Sequence, residues 1–293
     1  MIATLHRLFS TAPTAWSSGR RRSSRGGFGC SPRVILALLF ILGTLAYHYF
    51  GTTEYTNEFT GRTQRLAIPT PEEEIALGLQ SAPQMIREFG GESPDPKAQA
   101  LVDQVGARLL QTPFAKQTPY AFDFHLLSDR STVNAFALPG GQIFITEALF
   151  RLLENEDQLA GVLGHEIGHV LGRHSNEQMA SSRLWSGLAQ GVGLLISDGQ
   201  SNAGIHTAQM VANLRIKKFG RDDELESDRV GVRFLIEAGY QPEAMIGVMK
   251  ILAQAGGGAG SPEFMSTHPN PENRIGKIEE AIAEYRAKLP PSR

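Results

Sequence analysis

His165, Glu166 and His169 stand in the run His-Glu-Ile-Gly-His. Residues four apart on a helix share a face, so both imidazoles can reach one metal ion. Glu166, beside the first histidine, can then touch a water held by that ion and act as general base. Five residues of this kind also arise by chance. The rest of the chain must therefore supply a helix here, a third ligand and room for a substrate. Catalytic zinc needs three protein ligands and one open position, and two candidates compete for the third place. The first is a histidine close by, in the spacing His-Glu-x-x-His-x-x-Gly-x-x-His. Gly172 occupies the glycine position, but residue 175 is Ser and His174 falls one residue early. Five residues past His169 is about 140° around a helix. While the helix continues, His174 points away from the metal, and it reads as a helix-end residue or one that supports a ligand from behind. The second candidate is Glu224. It opens Glu224-Leu-Glu-Ser-Asp228, in which Glu224 and Asp228 share a helical face. Glu224 would ligate while Asp228 accepts a hydrogen bond from a ligand histidine, fixing its tautomer and orientation. Glu226 lies about 200° from Glu224 and faces elsewhere. Acids also favour the first turn of any helix, so this pair gains its meaning only beside His165 and His169. Two imidazoles and one carboxylate favour zinc, one ion per chain.

The motif sits where a helix is expected. Asn155, with Gln158 three residues on, makes a capping box, and Leu159, Val162, Leu163, Ile167, Val170 and Leu171 form a wide apolar stripe. Gly161, Gly164, Gly168 and Gly172 recur every three or four residues. Glycine costs about 1 kcal/mol per helical position relative to alanine, so a neighbouring element must pack very close to this backbone. Core histidines satisfied by neighbours would leave Glu166 without a purpose. Around this helix the chain reads as predominantly helical α+β. Helices are expected from Thr70-Pro71 to Phe89, from Asp95 to Leu110, from Ser175 to Ile196, from Ile205 to Lys218, from Arg221 to Ala238, from Pro242 to the glycines at 256–260, and after Asn270-Pro271. The alternation in Tyr120–Leu127 predicts a strand, and Val133–Leu138, Pro139-Gly140-Gly141 and Gln142–Ile145 predict a hairpin.

The N-terminal fifty residues differ from the rest. They hold six arginines and no acid, which leaves 22 basic against 30 acidic side chains in the remainder. That acidic body lacks the basic face a nucleic-acid-binding domain needs, and the single Cys30 excludes intrachain disulfides and cysteine zinc sites. Residues 1–33 read as a basic leader and 34–50 as a membrane anchor or the apolar region of a signal peptide. Residues 51–70 read as a polar linker and 71–293 as the catalytic domain. Basic residues before the apolar run predict that end cytoplasmic and the body translocated. An Arg- and Ser-rich presequence before a mitochondrial inner-membrane span is the alternative.

Asn134-Ala-Phe-Ala-Leu-Pro-Gly-Gly141, His165-Glu-Ile-Gly-His-Val-Leu-Gly-Arg-His-Ser175, Glu224-Leu-Glu-Ser-Asp228 and Ser266-Thr-His-Pro-Asn-Pro-Glu-Asn-Arg-Ile275 follow one another in that order. Together, over residues 70–285, they resemble the HtpX-like and prenyl-protein-endopeptidase-like zinc metalloproteases, which are gluzincins. The layout is most similar to single-anchor bacterial envelope-quality-control and mitochondrial stress-protease members. The resemblance implies a zincin-type domain whose small sheet carries an edge strand beside the active-site helix. It implies peptide-bond hydrolysis in unfolded or misfolded envelope or membrane proteins, on the extracytoplasmic side of a bacterial inner membrane. It places His268 near the metal, to stabilise an oxyanion or to fill the open position at rest, and Arg274 close enough to meet substrate. Asn134, Ala135 and Phe136 would hold an extended substrate by strand addition. A loop at Ser197–Gly204 could cover the cleft. A zinc-stabilised, non-catalytic chaperone-like binding protein is the rival reading.

Overall fold

The computed structural model describes residues 32–196, 219–255, 263–268 and 273–288. Residues 1–31 of the basic leader, the expected cover at 197–204, the helix at 205–218 and the cap at Asn270-Pro271 lie outside the described residues. The chain is predominantly helical α+β, with a small mixed sheet.

Local sequence decides most of the elements. Helix α1 spans Pro32–Phe50. A two-stranded antiparallel hairpin follows, β1 (Thr53–Thr56) and β2 (Thr63–Leu66), inside the stretch expected as a linker. Helix α2 (Pro71–Glu88) starts where Thr70 accepts from the Glu73 amide and Pro71 needs no donor, and it ends at Gly90 and Gly91, both at positive φ. Asp95 caps α3 (Pro96–Leu110) through the amides of Lys97 and Ala98. Strand β3 (Asp123–Leu127) runs parallel to β5 (Gln142–Thr146), and β4 (Ala135–Ala137) pairs antiparallel with β5. The order β3-β5-β4 leaves β4 at an edge. Gly140 and Gly141 make the turn at φ 84° and 112°, and a Cβ on Gly140 would stand 2.4 Å from the Ile75 Cα.

Thr146 caps the short α4 (Glu147–Phe150). Asn155 caps α5 (Glu156–Leu171), whose residues from Gln158 to Leu171 are all buried. Next come α6 (His174–Ile196), α7 (Arg221–Ala238), α8 (Ala244–Ala255), α9 (Glu263–Thr267) and α10 (Arg274–Lys288). Gly239, at φ 76°, closes α7.

The core gathers α3, the sheet, α5, α7, α8 and α10, with Ile143, Ile145, Leu163, Ile167, Phe234 and Leu252 fully enclosed. Helix α5 lies at its centre because α7 and α8 both pack on its glycines. A Cβ on Gly161 would meet Met245 of α8 at 3.3 Å. On Gly164 it would meet Gly231 of α7 at 3.4 Å, and on Gly168 the Ser227 backbone of α7 at 2.8 Å. These contacts are the close approach that the glycine spacing predicts. Helix α6 runs antiparallel to α1, with Gly187 against Thr44 and Gly191 against Ile41. Much of the apolar surface of α1, including Leu36, Leu39, Leu42 and Phe50, is exposed. Among the described residues no helix is long and apolar enough to cross a membrane. The uncharged run Val34–Phe50 contains 17 residues, where a span usually needs about 20.

Candidate metal centre

Three elements bring the site together. Helix α5 supplies His165, Glu166 and His169, α7 supplies Glu224 and Asp228, and the end of α9 supplies His268. The Nε2 atoms of His165 and His169 face each other 3.1 Å apart. Glu224 spans both, with Oε2 3.5 Å from His165 and Oε1 3.6 Å from His169. His268 Nδ1 stands 3.0 Å from Glu224 Oε1 and 3.4 Å from His165 Nε2. One ligand atom from each of His165, His169, Glu224 and His268 lies within 4.8 Å of the others, and all four residues are buried.

This arrangement fits a zinc ion. Two ligands on one tetrahedral zinc sit about 3.3 Å apart, which is close to the separation of the two Nε2 atoms. Both Glu166 oxygens and His268 Nε2 are buried without a hydrogen-bond partner, and Glu224 Oε2 has an ion pair with Arg274 but no hydrogen bond. A cluster of orphaned polar atoms at the centre of a packed core is costly unless something binds there.

The electrostatics agree. Burial disfavours a charged His165, but hydrogen bonds with Asp228 and Glu224 outweigh it and raise the imidazole to about 9. Burial drives His169 the other way, well below the ordinary histidine range, with the neighbouring His165 adding to the effect. Burial also opposes ionisation of Glu224, yet its bonds with His165 and His268 hold the carboxyl below the usual range. The carboxylates thus draw positive charge to a buried point between them, as a cation site requires. Glu166 is only 1 % exposed, and burial pushes its carboxyl up, towards the range where a base can both take and release a proton.

Asp228 accepts from His165 Nδ1 at 2.9 Å. Arg274 in turn donates to Asp228 through Nε at 2.6 Å and Nη2 at 2.9 Å. Its Nη1 stands 3.0 Å from Glu224 Oε2 as an ion pair. Arg274, expected close enough to meet substrate, is 1 % exposed and has these two carboxylates as its partners.

The strand residues lie beside this centre. Asn134 and Ala135 are buried, and Phe136 stacks on Phe144 of β5. The bonds Thr146 N to Asn134 O and Leu138 N to Gln142 O point inward. By strand alternation the backbone groups of Ala135 and Ala137 point to the free side. Phe264 of α9 donates its amide to Val133 O and stacks on His268 at 4.4 Å, which joins the start of this edge to the metal cluster.

Helix α5 does not continue into His174. Arg173 takes φ 55°, and this turn swings the His174 ring back, so that its Nδ1 lies 2.9 Å from His169 Nδ1. Among the residues with no sequence signal is Phe219, whose ring covers His169 at 4.1 Å. Glu226, expected to face away from the ligands, accepts from His174 Nε2 at 3.1 Å.

A model of peptidase family M48 matches residues 96–282. The beta-barrel assembly-enhancing protease of Escherichia coli (strain K12) is 31% identical over 211 residues, which are 69% of this chain and 43% of that protein. The mitochondrial metalloendopeptidase OMA1 of Schizosaccharomyces pombe is 32% identical over 169 residues, 57% of this chain and 48% of that protein. The OMA1 of Saccharomyces cerevisiae is 32% identical over 160 residues, 53% and 45% respectively. The chain thus spans less than half the length of these curated relatives.

Proposed function

The chain belongs to peptidase family M48, with a two-histidine, one-glutamate zinc metalloendopeptidase site, and we propose that it cleaves peptide bonds in misfolded or unassembled membrane and envelope proteins. One observation carries the chemistry: the buried carboxylate of Glu166 has no hydrogen-bond partner, next to two imidazole nitrogens and a carboxylate converging on one point. His165, His169 and Glu224 would hold one zinc ion per chain. When bound, the ion polarises the scissile carbonyl and acidifies the attacking water.

Glu166 takes a proton from the water whose oxygen adds to the carbonyl carbon. It returns that proton to the amide nitrogen as the C–N bond breaks. Asp228 and Arg274 keep His165 oriented throughout. His268 has two uses. With Nδ1 towards the cluster it would be a further ligand at rest, and turned aside it would donate to the developing oxyanion. An extended substrate would add to the outer edge of β4 at the half-buried Ala137, the backbone of Ala135 being enclosed. Strand addition suits unfolded chains, because it reads the backbone rather than a side-chain sequence.

The names of the relatives, a beta-barrel assembly-enhancing protease and a mitochondrial metalloendopeptidase, support a protein substrate. Placement at the extracytoplasmic face of a bacterial inner membrane rests on the arginine-rich, acid-free leader and the exposed apolar surface of α1. The mitochondrial inner membrane is the alternative. In this reading the domain begins at residue 71, with α1 as the single-pass anchor.

Zinc-loaded full-length chain should degrade casein, and Glu166→Gln should abolish this while zinc content stays at one per chain. Equal failure of wild type and variant, both with zinc bound, would overturn the enzyme reading in favour of a binding protein.

A further inference from the structure

The two histidine ligands are both supported from behind. Behind His165 stands a carboxylate, Asp228, and behind that an arginine, Arg274. Behind His169 the path is longer by one imidazole. His169 Nδ1 meets His174 Nδ1 at 2.9 Å, and His174 Nε2 meets Glu226 Oε2 at 3.1 Å. The Glu226 oxygen is then ion-paired with Arg62 Nε at 2.9 Å. His174 is 1 % exposed. Only one assignment of protons satisfies all of these contacts if His169 binds metal through Nε2. His169 Nδ1–H donates to His174 Nδ1, and His174 Nε2–H donates to Glu226. Ser227 Oγ lies 3.3 Å from His174 Nδ1.

Local structure is arranged for this path. A Cβ on Gly172 would fall 2.3 Å from His174 Nε2, so only glycine leaves the ring its place. Arg62 is also held from several sides: its Nη2 lies 2.6 Å from Glu177 Oε2 and 2.8 Å from Asp223 Oδ1. His174, Asp223 and Glu226 have the spacing of a cation site, but the guanidinium of Arg62 already supplies the positive charge among these acids. Arg62 belongs to the β1–β2 hairpin. The hairpin also caps the end of α5, through Asn57 to Leu171 O at 2.8 Å and Gln64 to Gly172 O at 2.9 Å. These are carbonyls that a helix terminus leaves without partners.

Resting on the two-histidine, one-glutamate reading, we infer that His174 is a positioning residue for His169, held in place by Glu226 and by Arg62 of the hairpin that follows α1. The segment between the N-terminal helix and the catalytic domain is then part of the metal centre. Partners of this kind change metal affinity by about 10–100-fold when removed.

The test uses the full-length chain and zinc itself, with affinity read by chelator competition and metal-free stability read by thermal unfolding. His174→Leu keeps much of the volume but offers no acceptor, whereas His174→Asn places an oxygen near the former Nδ1. Zinc affinity should fall by about 10–100-fold in His174→Leu and recover in large part in His174→Asn, although the metal-free proteins unfold alike. Arg62→Ala should weaken zinc binding in the same direction, and Arg62→Lys should restore part of it. In turnover, kcat should fall with KM little changed. Equal zinc affinity in wild type and His174→Leu, or equal loss in the Leu and Asn variants, would overturn the inference and leave the three-ligand reading standing. A wild type that binds no zinc would sink both.

Discussion

Gly168→Ala tests how the site is assembled. The added Cβ would lie 2.8 Å from the Cα and O of Ser227 and 3.2 Å from its carbonyl carbon. Carbon atoms pack at about 3.5–4.0 Å, so α5 and α7 must part by roughly 0.7 Å or more. Both partners are backbone, and no rotamer change relieves the contact. Overpacking of this kind costs about 1–3 kcal/mol, offset by about 1 kcal/mol from alanine's better helix propensity. Net stability should fall by about 0–2 kcal/mol. The metal site should feel the change more strongly. Ser227 is three residues from Glu224 on α7, while ligand distances tolerate only about 0.2 Å. Zinc affinity should drop about tenfold or more, at 1.4 kcal/mol per factor of ten. Gly161→Ala is the control, since its nearest contact is the flexible Met245 side chain at 3.3 Å, and zinc binding should be unchanged. Chelator competition and urea unfolding of the two variants give the numbers. Zinc affinity within twofold of wild type in Gly168→Ala would refute the claim that this contact sets ligand spacing.

Asp228→Asn should weaken zinc binding by about 10–100-fold, because it removes the carboxylate from His165 and leaves Arg274 half-paired; zinc titration measures it. Glu74 is buried with Arg173 Nε at 3.1 Å, Asn176 Nδ2 at 2.6 Å and the Tyr120 hydroxyl around it. Glu74→Ala strands a buried guanidinium and should cost about 3–5 kcal/mol in urea unfolding. If α1 is the anchor, the full chain should sediment with membranes and a chain begun at residue 51 should not; equal partitioning of the two would remove that role.

Much of the site was legible because its spacing is helical. His165, His169, Glu224 and Asp228 each follow from the period of one helix, and the glycines of α5 foretold a close neighbour. The caps at Thr70 and Asn155 were equally plain, since their chemistry is local. His174 reads as a helix-end residue or one that supports a ligand from behind, and it does stand behind His169, but the backbone turn that brings it there was not legible. An unbroken helix turns it away, and nothing in Gly172-Arg173 announces that a non-glycine residue will take positive φ. Arg62, Asn57 and Gln64 gave no signal because their partners lie more than a hundred residues away and a four-residue strand has too little pattern to read. The pairing of Arg274 with Glu224 and Asp228 was not legible either, because only the packing of α7 against α10 brings the carboxylates to it.

Where Gly164 meets Gly231 and Gly168 meets Ser227, backbone rests on backbone. The distance from His165 to Glu224 is therefore metered by touch, not by the contour of the chain between them. A contact between two backbones has no rotamer to yield, so the ligand spacing is as stiff as the two helices themselves. A single methyl group at residue 168 would reset it.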